Sequence, residues 1–117
     1  MNTTEGSLPA LFRPVVVQRP SLAGDGSAEP VLSLVSERGW AIVDTPQANV
    51  HCTSPDGRVY VGWLPEDFAA WQRHIVWTVR ATPAEPDEKP WVQEFGLHVP
   101  SRAVAAFLEA LTGHVDR

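Results

Sequence analysis

Apolar and polar residues alternate through Val50, His51, Cys52 and Thr53, and again from Arg58, where Val59, Val61 and Trp63 interleave with Tyr60 and Gly62. A period of two sends successive side chains to opposite faces of a sheet, so each run predicts a half-buried strand. Ser54-Pro55-Asp56-Gly57 stands between them, and Asp-Gly supplies the tolerance for positive φ that a tight hairpin needs. The same pattern predicts strands over residues 40–44, 49–53, 58–64, 75–81 and 91–98, with gaps short enough to make neighbours antiparallel. A β-branched run at residues 15–18, bounded by Pro14 and Pro20, predicts one more short strand at an edge.

Two stretches keep a helical period instead. Pro30 suits a first turn, Val31, Leu34 and Val35 share one face, and Gly39 makes a C-terminal stop. Later, Ser101 is read as an N-cap, Val104, Phe107, Leu108 and Leu111 form an apolar stripe, and Gly113 closes the helix. Residues 66–74 fit either a helical turn or a longer hairpin loop. The elements add up to an α+β fold: an antiparallel sheet of about five to six strands with two main helices packed on one face. Residues 1–14 lack periodicity and read as a flexible N-terminal arm, leaving residues 15–117 as a single domain. Residues 21–30 form a Gly-rich connector without the spacing or lysine of a phosphate-binding loop, and the acidic, proline-rich loop 83–90 projects from the sheet.

Carrying the alternation across the sheet puts Val50, Cys52, Val59, Val61, Trp63, Ile75, Trp77, Val79, Phe95 and Leu97 inward. His51, Thr53, Arg58, Tyr60, Thr78, Arg80, Glu94 and His98 then share the outward face, which is polar and locally more basic than the chain. Phe68 and Trp71, three residues apart, form either an apolar knob for a partner or a satellite cluster under their own loop.

Composition narrows the function classes. The chain has 117 residues, 44% of them hydrophobic, and five tryptophans, enough for one domain with a real core and too much for a disordered chain. No apolar run approaches the roughly 20 residues of a membrane span, and the N-terminus lacks the basic-then-apolar pattern of a signal peptide, so the expectation is a cytoplasmic protein with no membrane partner. The net charge of −5 works against phosphate backbones unless a local basic face overcomes it. Histidines at 51, 74, 98 and 114 accompany the single cysteine, Cys52, but no CxxC or HxxxH spacing places two ligands on one side, so neither metal nor cofactor is expected. Ser54 is explained by its turn, and Glu66-Asp67 by a solvated loop or helix start, so no catalytic residue emerges.

Arg38-Gly39-Trp40, the Ser54-Pro55-Asp56-Gly57-Arg58 turn, Val61-Gly62-Trp63-Leu64-Pro65, Trp91 with Phe95, and the helix running from Val104 to Thr112 follow in an order that resembles the actinobacterial family called domain of unknown function 317, labelled SPDY. The resemblance spans about residue 15 to the end, with Gly57-Arg58 standing where the label has Tyr. It implies no established reaction, cofactor or catalytic residue. Chains of that family often carry the module more than once, so a single copy here implies self-association.

The function these features support is a non-enzymatic regulatory interaction module binding a protein partner or another copy of itself, through the polar face or the Phe68 and Trp71 knob. The alternatives are binding of double-stranded DNA by Arg58, Tyr60, Thr78 and Arg80, with Arg73, His51 and His98 in support, and a small enzyme of unknown reaction.

Overall fold

The computed structural model describes residues 22–24 and 26–113. Its elements run α1 (Glu29–Glu37), β1 (Ala41–Asp44), β2 (Val50–Thr53), β3 (Val59–Trp63), α2 (Phe68–Gln72), β4 (Ile75–Ala81), β5 (Trp91–Gly96) and α3 (Ser101–Thr112). The five strands form one antiparallel sheet in sequence order, β1-β2-β3-β4-β5. The α+β fold is therefore as the periodicity indicates. The edge strand expected at residues 15–18 and the arm at 1–14 lie outside the described residues.

Register follows the alternation. Cys52 faces Val61, Val61 faces Val79, and Trp63 faces Trp77 with ring centroids 6.2 Å apart, so one face of the sheet is continuously apolar. Helices α1 and α3 lie on that face, contributing Val31, Val35, Val104 and Leu108, all fully buried. Phe107 and Leu111 are only partly buried, so the centre of the α3 stripe falls at Val104 and Leu108. Phe107 instead sits between Phe95, at 5.3 Å, and Trp91, at 6.3 Å, with rings edge to face.

Helix ends follow local chemistry. Gly39 takes φ 75° just past α1, letting Trp40 N–H donate to the Val35 carbonyl and turn the chain into β1. At α3 the structure corrects the expected cap: Pro100, extended at φ −63°, ψ 139°, is the N-cap, and its carbonyl accepts from Ala103 and Val104. Proline has its φ fixed for that position, which moves Ser101 inside the first turn, where its buried hydroxyl finds no hydrogen-bond partner among the described residues.

Strand β5 also ends early. A register irregularity between Ile75 and Trp77 leaves Gly96 opposite Ile75, and the chain then turns, with Leu97 N–H donating to His74 and Val99 N–H to Gly96. Leu97 is consequently exposed, not inward, and His98 is exposed outside the strand. Loop residues 84–90 are exposed throughout.

The hairpin between β2 and β3 is built as its sequence demands. Gly57 adopts φ 75° with open space where a Cβ would sit, Gly57 N–H donates to the Ser54 carbonyl, and Asp56 Oδ1 accepts from Ser54 Oγ at 2.6 Å. Substituting Gly57→Val therefore tests conformation without a clash. It is expected to cost about 1–2 kcal/mol in a denaturant melt, the penalty of forcing a side chain into the left-handed region, and an unchanged midpoint would contradict the assigned turn.

Candidate functional site

On the sheet face away from the helices, register aligns two rows. Val43, His51, Gly62, Thr78 and Glu94 lie across one, and Ala41, Thr53, Tyr60, Arg80 and Val92 across the next. Gly62 lets the rows interact, because Tyr60 folds flat over the space where a Cβ at 62 would stand. The Tyr60 hydroxyl thereby reaches His51 Nδ1 at 2.7 Å, the rings lie nearly parallel with centroids 5.9 Å apart, and the Arg80 guanidinium carbon sits 4.5 Å from the Tyr60 ring centroid. Burial pushes the Tyr60 phenol up, against the opposing pull of Arg80. A Cβ at position 62 would strike the Tyr60 ring end. Gly62→Ala is accordingly expected to swing Tyr60 off His51, an outcome read from the His51 ring-nitrogen shifts, which should then match those of Tyr60→Phe.

The structure thus brings His51, Tyr60 and Arg80 together, with Thr78 half-buried across Gly62, and leaves the other candidates elsewhere. Arg58 precedes β3 by one residue, and its guanidinium turns along the sheet end to donate to the carbonyls of Pro83 at 2.9 Å and Thr82 at 3.5 Å. Arg73 pairs with Glu94 at 2.7 Å. The cations read as one outward set are therefore divided among separate partners.

Phe68 and Trp71 occupy a second surface. The ambiguous segment 66–74 contains helix α2, capped by Asp67, whose Oδ2 accepts from Ala70 N–H at 2.9 Å. Ala70 is fully buried and fastens the turn to the body. The two aromatics on the outer side remain 71% and 63% exposed, flanked by Glu66 and Asp67. Trp71 also forms one wall of a crevice of about 220 Å3 with Trp63 and Trp77.

Sequence reasoning missed a third feature. At the opposite end of the sheet, Arg38, Trp40, Arg58, Trp91 and Thr112 surround a cavity of about 600 Å3. Its parts come from the turn after α1, the β2–β3 hairpin, the end of β4 with the loop after it, β5 and α3, separated by up to 74 positions, and no periodicity links them. The only signal was their presence among the residues that carry the family likeness.

Cys52 is 2% exposed, with its thiol pushed up to about 11 by burial and then by Asp44, so it packs as a small apolar group. Among the described residues no three of His, Cys, Asp and Glu are grouped so that they could hold a metal ion, and no helix is long and apolar enough to cross a membrane.

The chain matches the SPDY family model, described as Domain of unknown function (DUF317), over residues 53–114. That span runs from the end of β2 through α3 and exceeds half of the chain, which therefore belongs to this family. No curated protein and no solved structure matches the chain.

Proposed function

We infer that this DUF317 member is a non-enzymatic docking module that inserts Phe68 and Trp71 into an apolar pocket of a protein partner with a basic rim. One observation carries the reading: two large aromatics, 71% and 63% exposed, stand side by side on a turn held at both ends, by the Asp67 cap and by the Arg73–Glu94 pair that follows it. Rigid exposed aromatics lose little conformational entropy on burial, and tryptophan is prominent among the residues that dominate interfaces. Glu66 and Asp67 beside them, in a chain of net charge −5, favour a basic partner and oppose close approach of a second copy. The immobilised domain and its Phe68→Ala/Trp71→Ala variant are compared as baits in native extract. Proteins retained by the first and lost by the second support the reading; an identical retained set defeats it, and sedimentation showing a dimer abolished in the variant would replace the partner by another copy of the chain.

A second reading, DNA binding on the outer sheet face, draws on Arg80 set over Tyr60, the cation and ring pairing that nucleic-acid-binding sheets use. Affinity for labelled duplex that falls steeply with salt and with Arg80→Ala favours it. No binding at low salt removes it.

A further inference from the structure

We propose that the cavity at the end of the sheet, between the β2–β3 hairpin and the C-terminus of α3, binds a small organic anion with a flat apolar body, of the aromatic carboxylate class. This goes beyond the docking reading and uses none of its residues. The cavity is an open cleft of about 600 Å3, a volume within the roughly 300–1,000 Å3 of small-molecule sites. Its apolar lining includes Val59, Ala81, Leu111 and two indoles, of which Trp40 is buried at 8% exposure while Trp91 is 39% exposed and fixed in orientation by its edge-to-face contact with Phe107. An apolar lining with an exposed indole suits a flat ring better than a hydrated inorganic ion.

The two arginines of the lining point to an anion. The Arg38 side chain is only 12% exposed, yet the one carboxylate that reaches it among the described residues is Glu109, at 3.7 Å. That is longer than a charge-assisted hydrogen bond, which leaves the guanidinium able to take a closer carboxylate. The guanidinium also donates to Thr112 Oγ1 at 2.6 Å, a neutral acceptor. Arg58, on the same cavity, has no carboxylate within ion-pair distance among the described residues and is steadied by carbonyl oxygens. The cavity's acid, Asp56, spends one carboxylate oxygen on Ser54 Oγ and Arg58 N–H within its own turn. Two arginines thus line the space, Arg38 with Glu109 at 3.7 Å and Arg58 drawing on the charge of Asp56 in its own turn, and neither is held by a close bidentate carboxylate among the described residues. A ligand carboxylate would meet a planar, bidentate donor, while its ring lies against Trp40 and Trp91.

The test is titration of the folded chain with 2-naphthoate, with the neutral 2-naphthalenemethanol and with inorganic phosphate, following the Trp40 and Trp91 indole N–H resonances. The proposal expects saturable shifts with 2-naphthoate, and affinity at least about tenfold lower for the alcohol and for the exposed-site variant Arg58→Gln, since losing one charged contact of this kind weakens binding by that order. The Phe68→Ala/Trp71→Ala variant should bind 2-naphthoate unchanged, so failure here and failure of the docking reading are distinguishable. Absence of saturable shifts overturns the proposal; equal affinity for the alcohol reduces the site to an apolar crevice, and equal affinity for phosphate reduces it to an adventitious ion site, either of which overturns it too. Should Arg58→Gln melt early, the comparison of 2-naphthoate with its alcohol on the unsubstituted chain decides alone.

Discussion

Leu108→Ala is expected to lower the unfolding free energy by about 3 kcal/mol, the central value for removing a fully buried leucine and leaving a cavity behind it. Leu108 has no exposed surface, and it belongs to the apolar cluster in which α1, α3 and the sheet converge. Little can relax into the vacated space, because Val31, Val35 and Val104 are β-branched and stiff at χ1. Phe107→Ala is expected to cost less, about 2 kcal/mol, because Phe107 is only partly buried and its edge contacts to Phe95 and Trp91 add to a smaller transfer term. Denaturant melts of both variants give the comparison. A loss at Leu108 below about 0.5 kcal/mol, the scale of an innocuous surface change, would mean that α3 does not pack as described.

Trp71→Ala is expected to separate binding from stability. An anchor residue that fills a partner's pocket is worth about 2 kcal/mol or more, equivalent to a loss of affinity of about thirtyfold. The same truncation should leave the melt nearly unmoved, since Trp71 is 63% exposed while Ala70 and the Asp67 cap hold α2 in place. Asp67→Ala reverses the order of effects: it removes the cap, costs about 1 kcal/mol of stability, and weakens binding only indirectly by loosening the turn. A Trp71→Ala variant that melts much earlier would place the indole in the structural role of closing the crevice it shares with Trp63 and Trp77.

The strands and their inner face were legible because one physical pattern fixes both. Once Val50 and Cys52 must point inward and Asp56-Gly57 must turn, the pairing of Cys52 with Val61 and of Val61 with Val79 follows. What local pattern could not supply were departures set by distant contacts. The irregularity opposite Ile75 ends β5 at Gly96 and releases Leu97 and His98, and no residue within β5 announces it. Ser101 looked like a cap because serine usually is one, but Pro100 already held the right dihedral angles. Arg58 had the right parity for the outer face, yet it stands beyond the strand and finds carbonyl acceptors on the next loop. Tyr60 and Arg80 were placed correctly by register, whereas the role of Gly62 in letting Tyr60 reach His51 required the third dimension. The cavity lined by Arg38, Trp40 and Trp91 was invisible for the same reason: its walls come from segments that only the fold brings together.

The most direct test of the docking account is a hydrogen-exchange footprint of the domain, free and saturated with a retained partner. Protection gained across residues 66–74, with the outer sheet face around Tyr60 and Arg80 unchanged, is the result predicted. Protection centred on Tyr60, Thr78 and Arg80, with residues 66–74 exchanging as in the free chain, would contradict it.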